Sequence, residues 1–289
     1  MTMQGKHVLI TGGNTGIGKA TAVELARMGA AVTITSRDPA KGEAAVADIK
    51  RLSGSGAVEL LRLDLASLAD VRRFAAEYLA THPRLDVLIN NAGLVQSDRS
   101  ETVDGFETTF GVNHLGHFLL THLLLDRLKA SAPSRIVVLA SGAHRAARGL
   151  DFDDLQSRRK YRGLPVYCRS KLANLLFTLE LAERLRGTGV TVNAVHPGVV
   201  ASGFGADGDT RGLYRFLFGL AQRFMITPEQ GARTSIYAAT APELAQTSGQ
   251  YFEKSKQSRP TRYALDRAAA LRLWEVSEQL TGTNKSAAA

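Results

Sequence analysis

The sequence predicts an α/β fold in which a doubly wound parallel sheet carries helices on both faces. Three observations predict it: short β-branched apolar segments recur along the chain, longer segments of helical periodicity separate them, and a glycine-rich turn follows the first apolar segment. Strict alternation of strand and helix implies right-handed crossovers, which place parallel strands side by side and cover both faces of the sheet.

Six segments are predicted to be strands because each is short, apolar and rich in β-branched residues. They are residues 7–11, 31–36, 58–63, 85–89, 135–140 and 190–195. Residues 136–139 are apolar at every position, which is typical of a strand buried on both faces of a parallel sheet. The sheet is therefore expected to lie inside the molecule.

Three helix starts are marked by capping residues. Asp38 is followed by a proline, which favours an N-cap with proline at the first helical position. Thr227 and Gln230 have the spacing of a capping box, and Ser67 with Asp70 is a weaker version of it. These residues predict where the intervening helices begin.

The composition is that of an ordinary soluble globular protein. The chain has 289 residues, of which 44% are hydrophobic and 22% charged, and this excludes disordered, collagen-like and disulfide-framework proteins. The single cysteine, Cys168, has no partner for an internal disulfide and suits a reducing cytosol.

The net charge of +9 makes nucleic acid, anionic membranes and anionic small ligands the candidate partners. The densest basic cluster, residues 158–162, is accompanied by no nucleic-acid-binding motif, so no nucleic acid partner is expected. No apolar run approaches the roughly 18 residues of a membrane span, and none is expected. The first strand begins too early to leave room for a signal peptide, which favours a cytoplasmic location.

The chain is predicted to form a single domain over residues 1–289, since it has no repeats and no linker rich in Pro, Gly or Ser. Residues 199–226 are glycine-rich and then apolar. They follow the sixth strand, where ligands bind in such sheets, and fit a substrate lid or a helix packed on the core equally well. Residues 282–289 are expected to be a disordered tail.

A glycine turn follows the first strand and leads directly into a helical pattern. Glycines let a backbone turn sharply and approach a pyrophosphate, whose charge then faces the N–H groups at the positive end of the helix. The turn predicts a dinucleotide site formed by Gly12, Asn14, Thr15, Gly16, Ile17 and Gly18.

The end of the second strand bears on the choice of dinucleotide. An NAD-preferring site places an acidic residue there for the ribose 2′-hydroxyl, but this chain has Ser36 followed by Arg37. Asp38 is explained as the helix cap, whereas Arg37 is suited to pair with a 2′-phosphate. NADP(H) is therefore the predicted cofactor, with NAD(H) as the alternative and a surface role for Arg37 left open.

A pentad from Tyr167 to Lys171 is predicted to open a helix. Tyr167 and Lys171 are four residues apart, which stacks them on one helical face, where an ammonium lowers the pKa of a phenol. Ser141, after the fifth strand, is a second hydroxyl donor suited to the negative charge that develops on a reacting carbonyl oxygen.

In chain order these motifs, with Asn90-Asn91-Ala92-Gly93, Asn113 and Pro197-Gly198, resemble the short-chain dehydrogenase/reductase family. The resemblance runs from residue 7 to residue 198 and more loosely beyond. It implies a Rossmann-type fold and an enzyme in which the cofactor carries the hydride while the protein positions and polarises the substrate.

The resemblance also implies residue roles. Tyr167 acts as general acid or base, Ser141 bonds the substrate oxygen, Lys171 holds the nicotinamide ribose and lowers the pKa of Tyr167, and Asn113 supports a relay water. The remaining cofactor contacts that it implies are Asp64 and Leu65 at the adenine, Asn91, Ala92 and Gly93 at the adenine-side wall, and Pro197, Gly198 and Val200 at the nicotinamide.

A long segment between Ser141 and Tyr167, with Ser170-Lys171-Leu172-Ala173-Asn174 and His196-Pro197-Gly198, resembles the retinol-dehydrogenase-like branch. That branch suggests NADP(H) and lipophilic carbonyls or alcohols. Its membrane anchors lie outside the catalytic fold, and because the sequence has no such segment, retinoids are not the expected physiological substrate.

The predicted function is therefore an NADP-dependent carbonyl reductase or alcohol dehydrogenase acting on a small apolar molecule. Two alternatives stay open: reduction of a conjugated carbon–carbon double bond, and a non-catalytic dinucleotide-binding regulator or scaffold. The family resemblance also suggests a homo-oligomer formed through helices near residues 106–128 and 167–185.

Overall fold

The computed structural model describes residues 2–199 and 226–284, and an eight-stranded sheet lies at its centre. The strands are β1 His7–Ile10, β2 Ala31–Ser36, β3 Val58–Arg62, β4 Val87–Asn90, β5 Ser134–Leu139, β6 Val190–His196, β7 Tyr251–Glu253 and β8 Lys256–Ser258. Their spatial order is β3-β2-β1-β4-β5-β6-β7-β8. All neighbours are parallel except β7 and β8.

Helices and short turns connect the strands. The helices are α1 Gly16–Arg27, α2 Pro39–Ser53, α3 Leu68–Thr81, α4 Thr108–Phe110, α5 Gly116–Ala130, α6 Gly163–Arg184, α7 Pro228–Thr240 and α8 Arg267–Thr281. A π-helical segment, Gly111–Leu115, joins α4 to α5, and 3-10 turns cover Gly142–Ala146, Pro242–Leu244 and Arg262–Leu265. None of the helices described in residues 2–199 and 226–284 is both long and apolar enough to traverse a bilayer.

The side chains of the strands alternate between two apolar cores. Val8 and Ile10 of β1 pack with α1, α2 and α7 on one face, whereas Leu9 packs with α3, α5 and α6 on the other. The same alternation separates Ile136 from Val137 in β5. Because successive residues of a strand point to opposite faces, a sheet covered on both sides needs apolar residues throughout. The predicted doubly wound α/β fold is confirmed.

Two short strands were missed by the sequence analysis. β7 and β8 have three residues each, and neither pattern, Tyr-Phe-Glu or Lys-Gln-Ser, carries a run of β-branched residues. β7 extends the parallel sheet beside β6, and β8 returns antiparallel to it. The sheet is therefore mixed at this edge, which corrects the expectation of an entirely parallel one.

The three predicted helix starts are confirmed by their caps. The Asp38 carboxylate accepts from the N–H of Lys41 at 3.2 Å, and the Ser67 hydroxyl accepts from the N–H of Asp70 at 3.2 Å. At α7, Thr227 and Gln230 form the complete capping box. The pentad from Tyr167 does not open its helix, however, because α6 already begins at Gly163.

The predicted substrate lid or packed helix over 199–226 and the predicted disordered tail over 282–289 lie mostly outside the described residues. The residues that flank the first gap are described, and the N–H of Ile226 donates to the carbonyl oxygen of Val199 at 2.9 Å. The two ends of the segment are therefore joined by a backbone hydrogen bond beside the end of β6.

Candidate active site

The glycine turn lies where the strand order reverses, between β1 and β4. Gly12 and Gly16 have φ of +62° and +52°, a conformation that favours glycine. A Cβ on Gly18 would collide with the carbonyl oxygen of Gly12, so this glycine lets α1 pack directly against the turn. The carboxyl ends of strands at such a reversal form the crevice in which open α/β sheets bind ligands.

The start of α1 fits the phosphates of a dinucleotide. Thr15, the residue before the helix, makes no side-chain capping hydrogen bond, and the first turn contains no acidic residue. Asn14, Thr15 and Ile17 are at least partly exposed. Helix N–H groups that no side chain caps, together with the positive end of the helix dipole, suit an anion.

The loop after β4 is fastened to the glycine turn. The Asn91 side-chain amide donates to the carbonyl oxygen of Thr11 at 2.7 Å and of Gly12 at 3.2 Å. A Cβ on Gly12 would lie 3.0 Å from the Cβ of Ala92, so the two segments are in close contact. The structure therefore brings together the glycine turn and the predicted adenine-side wall.

Gly93 lies where this wall meets the predicted catalytic side chains. A Cβ there would be 3.3 Å from Nζ of Lys171 and 3.4 Å from Oδ1 of Asn113. The Asn113 amide closes the corner, since its Oδ1 accepts from the N–H of Leu94 at 2.8 Å and its Nδ2 donates to the Leu94 carbonyl at 2.9 Å. Asn113 is fully buried in the π-helical segment, a feature that is frequent at functional sites.

Tyr167 and Lys171 occupy one face of α6, as their spacing predicted. Nζ of Lys171 lies 5.7 Å from the centroid of the Tyr167 ring and donates to the carbonyl oxygen of Leu139 at 3.1 Å. Asn174, one turn further, donates to the same carbonyl oxygen at 3.0 Å. The helix is thus tied to the end of β5, which leads into Ser141.

Ser141 joins the pair from the sheet side. It lies two residues after β5, accepts from the N–H of Ala143 at 3.1 Å, and its hydroxyl interacts with the Tyr167 phenol. The residue therefore closes its own turn and also contacts the phenol. The predicted convergence of Ser141, Tyr167 and Lys171 is present in the structure.

The electrostatics of this group follow from burial. Burial raises the pKa of Tyr167 to about 12, while the hydrogen bond from Ser141 acts in the opposite direction. Burial also lowers the pKa of Lys171 to about 8. Lys171 was expected to lower the pKa of the phenol, but the net shift in the chain alone is upward, because desolvation of the buried ring is its largest cause. Tyr167 is therefore protonated at neutral pH.

The predicted adenine contacts follow β2 and β3, the two strands at one edge of the sheet. Arg37 is exposed at the end of β2, and the N–H of Leu63, just before Asp64, donates to the carbonyl of Ser36 at 3.1 Å. Asp64 caps its own turn, accepting from the N–H of Ala66 at 2.9 Å. Leu65 is buried against Gly116 of α5, where a Cβ would be 2.6 Å from the Leu65 carbonyl oxygen.

The predicted nicotinamide contacts follow β6. Pro197 and Gly198 are partly exposed, and Gly198 has a φ of +93°. His196 connects them to the serine turn, since a Cβ on Gly142 would lie 3.0 Å from its Nε2. Val200 lies outside the described residues.

Three residues that contact the site were given no role in it from the sequence: Thr11, His117 and Asn174. Thr11 belongs to the glycine motif, and Asn174 lies one turn after Lys171, so spacing was a usable signal for both. His117 lies one helical turn after Asn113, and its ring contacts both the Asn113 carbonyl oxygen and the Thr11 hydroxyl. That second contact depends on the fold.

A sequence profile described as short chain dehydrogenase matches residues 6–210, a span that includes the glycine turn, Asn113, Ser141, Tyr167 and Lys171. The chain belongs to the short-chain dehydrogenase family. It is an oxidoreductase of that family, and the resemblance stated from the motifs is confirmed.

Within the short-chain dehydrogenases, the chain is similar to several retinol dehydrogenases. It is 49% identical to retinol dehydrogenase 14 of Homo sapiens over 98% of this chain and 88% of that protein. It is 50% identical to human retinol dehydrogenase 13 over 97% of this chain and 86% of that one. The retinol-dehydrogenase-like character is therefore confirmed over almost the whole sequence.

Solved structures of the family share the fold. A crystal structure of an uncharacterized protein from Mycobacterium paratuberculosis superposes with a TM-score of 0.79 at 38% identity, covering 97% of this chain and 95% of that one. The NADP active-site complex of RhlG from Pseudomonas aeruginosa gives a TM-score of 0.68 at 30% identity, covering 87% and 95%.

Proposed function

We propose that this protein is an NADP-dependent oxidoreductase that interconverts an alcohol and an aldehyde or ketone on a small apolar molecule. The observation that carries the proposal is the convergence of the Ser141 hydroxyl and the Tyr167 phenol beside the buried Lys171, at the crevice formed by the carboxyl ends of the strands. Two hydroxyl groups that converge there are suited to a single substrate oxygen.

The protein's own residues supply the proton and the polarisation. NADPH, when bound, supplies the hydride that the carbonyl carbon accepts. The carbonyl oxygen then gains negative charge, which Ser141 stabilises by donating a hydrogen bond, and Tyr167 delivers the proton that completes the alcohol. The high pKa of Tyr167 supports this role, because the phenol holds its proton at neutral pH. Oxidation of the alcohol runs these steps in reverse.

Arg37 supports NADP over NAD. Asp38, the neighbouring acidic residue, uses its carboxylate to cap α2, and Ser36 donates its hydroxyl to the Asp38 carbonyl oxygen at 2.8 Å. Neither is therefore placed as the acceptor that an unphosphorylated ribose needs, whereas a guanidinium forms charge-assisted hydrogen bonds with a phosphate.

An apolar substrate is supported by exposed apolar side chains beside the site. Leu164 lies one turn before Tyr167 on α6, and Val199 directly follows Gly198; they are 48% and 63% exposed. The names of the related retinol dehydrogenases point to the same class, long apolar alcohols and their aldehydes. We propose this class rather than one compound.

Turnover with purified protein tests the proposal. NADPH and NADH are each offered with retinal, straight-chain aldehydes of increasing length, apolar ketones and a conjugated enal whose two reduction products differ. Tyr167→Phe is expected to lower kcat by about 10²- to 10⁴-fold, whereas Tyr263→Phe, which changes a partly buried tyrosine bonded to Arg262, serves as the matched control. Full activity in Tyr167→Phe contradicts the role, and NADPH binding without turnover on any compound favours the non-catalytic alternative.

A further inference from the structure

The hydroxyl of Thr11, at the end of β1, is fully buried and meets four polar groups. It accepts from the backbone N–H of Asn91 at 2.8 Å and of Ala92 at 3.0 Å. It also lies 2.8 Å from Nε2 of His117 and 3.4 Å from the carbonyl oxygen of Ile89. A hydroxyl has two lone pairs and one proton, so the two backbone donors use its whole capacity as an acceptor.

This accounting assigns the tautomer of His117. The Thr11 proton is directed to the nearer acceptor, Nε2 of His117, which must then be unprotonated. The ring proton is on Nδ1, and Nδ1 lies 3.2 Å from the backbone carbonyl oxygen of Asn113, which accepts it. Burial lowers the pKa of His117 to about 4, so the ring is neutral at neutral pH and both nitrogens have partners.

The contacts continue from Asn113 to the catalytic helix. Nδ2 of Asn113 donates to the Ser170 hydroxyl at 3.0 Å, and that hydroxyl donates to the backbone carbonyl oxygen of Tyr167 at 2.8 Å. Asn113 is therefore held by His117 at its backbone carbonyl and bonded to Ser170 through its side-chain amide, so one residue links the contacts of the glycine turn to the helix that carries the phenol.

We propose that His117 is a positioning residue that couples the dinucleotide turn to Asn113, one nitrogen holding Thr11 and the other holding the Asn113 carbonyl. The proposal rests on the proposed function, since it gives Asn113 and Tyr167 a part in the reaction. His117 acts through these neighbours. Its two nitrogens serve two different tasks: Nε2 supports the shape of the nucleotide turn, and Nδ1 supports the geometry of Asn113.

His114 provides a matched control. It is also a buried neutral histidine in the π-helical segment, and its Nε2 lies 2.8 Å from the Ser277 hydroxyl of α8. Its ring packs against Phe110 and Phe177. If the fold simply needs a buried imidazole in this segment, replacing either histidine should have the same effect. Of the two, His117 is the one that contacts both Thr11 and Asn113.

Two conservative variants separate the two nitrogens. His117→Gln places an amide near the position of Nε2 and keeps a partner for Thr11, so the dissociation constant for NADPH is expected to stay within about twofold while kcat falls by about three- to tenfold. His117→Asn places an amide near Nδ1 and keeps a donor for Asn113, so NADPH binding weakens by about the same factor while kcat is retained. His117→Phe loses both, and His114→Phe changes neither.

The measurements are NADPH titration by fluorescence, kcat on the best aldehyde of the panel, and thermal melting to compare folded fractions. The coupling is overturned if the Gln and Asn variants lose kcat and NADPH affinity in parallel, or if they differ from the wild type no more than His114→Phe does. Loss of kcat alone in His117→Gln, together with loss of NADPH affinity alone in His117→Asn, supports it.

Nuclear magnetic resonance of the protein with ¹⁵N-labelled histidine tests the tautomer without any substrate. The His117 signals, identified by their loss in His117→Phe, are expected to show a neutral ring protonated on Nδ1; protonation on Nε2 or on both nitrogens overturns the proposal. The His117 tautomer and the difference in NADPH affinity between the Gln and Asn variants can be measured without turnover. If both are as expected but no compound is turned over, the link between Thr11 and Asn113 is supported and the proposed function is contradicted.

Discussion

Nζ of Lys171 lies 5.7 Å from the centroid of the Tyr167 ring and is bonded to the carbonyl oxygen of Leu139 at 3.1 Å. The ammonium is therefore held by the end of β5 as well as by its own helix, and the same strand end leads into Ser141. Because Lys171 is buried with its pKa lowered to about 8, a charged group stands where the fold gives it little solvation.

Replacing Lys171 with methionine should stabilise the protein at pH 7 while removing activity. The lowered pKa corresponds to a cost of about 3 kcal/mol for keeping the ammonium charged inside the protein, and the lost hydrogen bond offsets about 1 kcal/mol of the gain. Leu139 keeps its bond from Asn174. Urea unfolding at pH 7 is expected to give a free energy of unfolding about 1–3 kcal/mol higher for Lys171→Met.

The pH dependence supplies the check on that prediction. Between pH 8 and 10.5 the unfolded chain keeps the Lys171 proton that the folded chain has lost, so the wild-type free energy of unfolding rises relative to the variant. The stability difference should therefore shrink through this range. A variant that is less stable at pH 7, with no such convergence, contradicts the lowered pKa.

Tyr167 should remain protonated far above neutral pH in the protein without dinucleotide. Burial raises its pKa to about 12, so tyrosinate absorbance up to pH 11 is expected to be the same in wild type and in Tyr167→Phe. Ser141→Ala removes the hydrogen bond that favours the phenolate and should raise the pKa further. A phenolate signal near pH 9 that is present in the wild type and absent from Tyr167→Phe would contradict the raised pKa of Tyr167.

Arg37→Ala should weaken NADPH binding by roughly tenfold to a hundredfold, which corresponds to about 1.5–3 kcal/mol of charge-assisted hydrogen bonding, and leave NADH binding unchanged. Arg51→Ala is the control, since Arg51 is an exposed arginine at the other end of α2, paired with Asp48. The prediction is tested by dissociation constants of the wild type and both variants for NADPH and NADH, measured at one salt concentration. Equal weakening of NADPH and NADH would assign Arg37 no role in the preference.

Gly93→Ala should lower kcat by about tenfold or more with little change in stability. The added methyl would lie 3.3 Å from Nζ of Lys171 and 3.4 Å from Oδ1 of Asn113, so one of them must shift by a few tenths of an ångström. Gly56→Ala is the control, because a Cβ there meets no atom within 4 Å. Single-turnover rates and thermal melting are the measurements. Displacement of the site lowers the rate and leaves the melting temperature unchanged, whereas partial unfolding lowers both the rate and the melting temperature.

Most of the fold could be predicted from the sequence because six strands, three helix caps and the glycine turn each have a local sequence signal. β7 and β8 lacked one, being three residues long and mixed in polarity. The start of α6 was placed too late because Gly163 and Pro165 are typical of loops; here a Cβ on Gly163 would collide with the Gln96 carbonyl oxygen, so the glycine lets the helix approach the loop after β4.

The site was predictable where spacing along one helix determines contact, as for Tyr167 and Lys171. The bond between Thr11 and His117 joins residues 106 positions apart, which only the folded topology brings together. The direction of the Tyr167 pKa was wrong for a related reason: helical spacing reports the distance to the ammonium, whereas the loss of solvent around the ring depends on the tertiary structure.

The hydrogen bond between Ile226 and Val199 brings the two borders of residues 200–225 side by side. An insertion between joined borders disturbs neither β6 nor α7, and each doubling of its length costs only about 0.6 kcal/mol in closure entropy. A change in the length of that stretch is therefore expected to leave β6, and the backbone of residues 197–199 that follows it, in place.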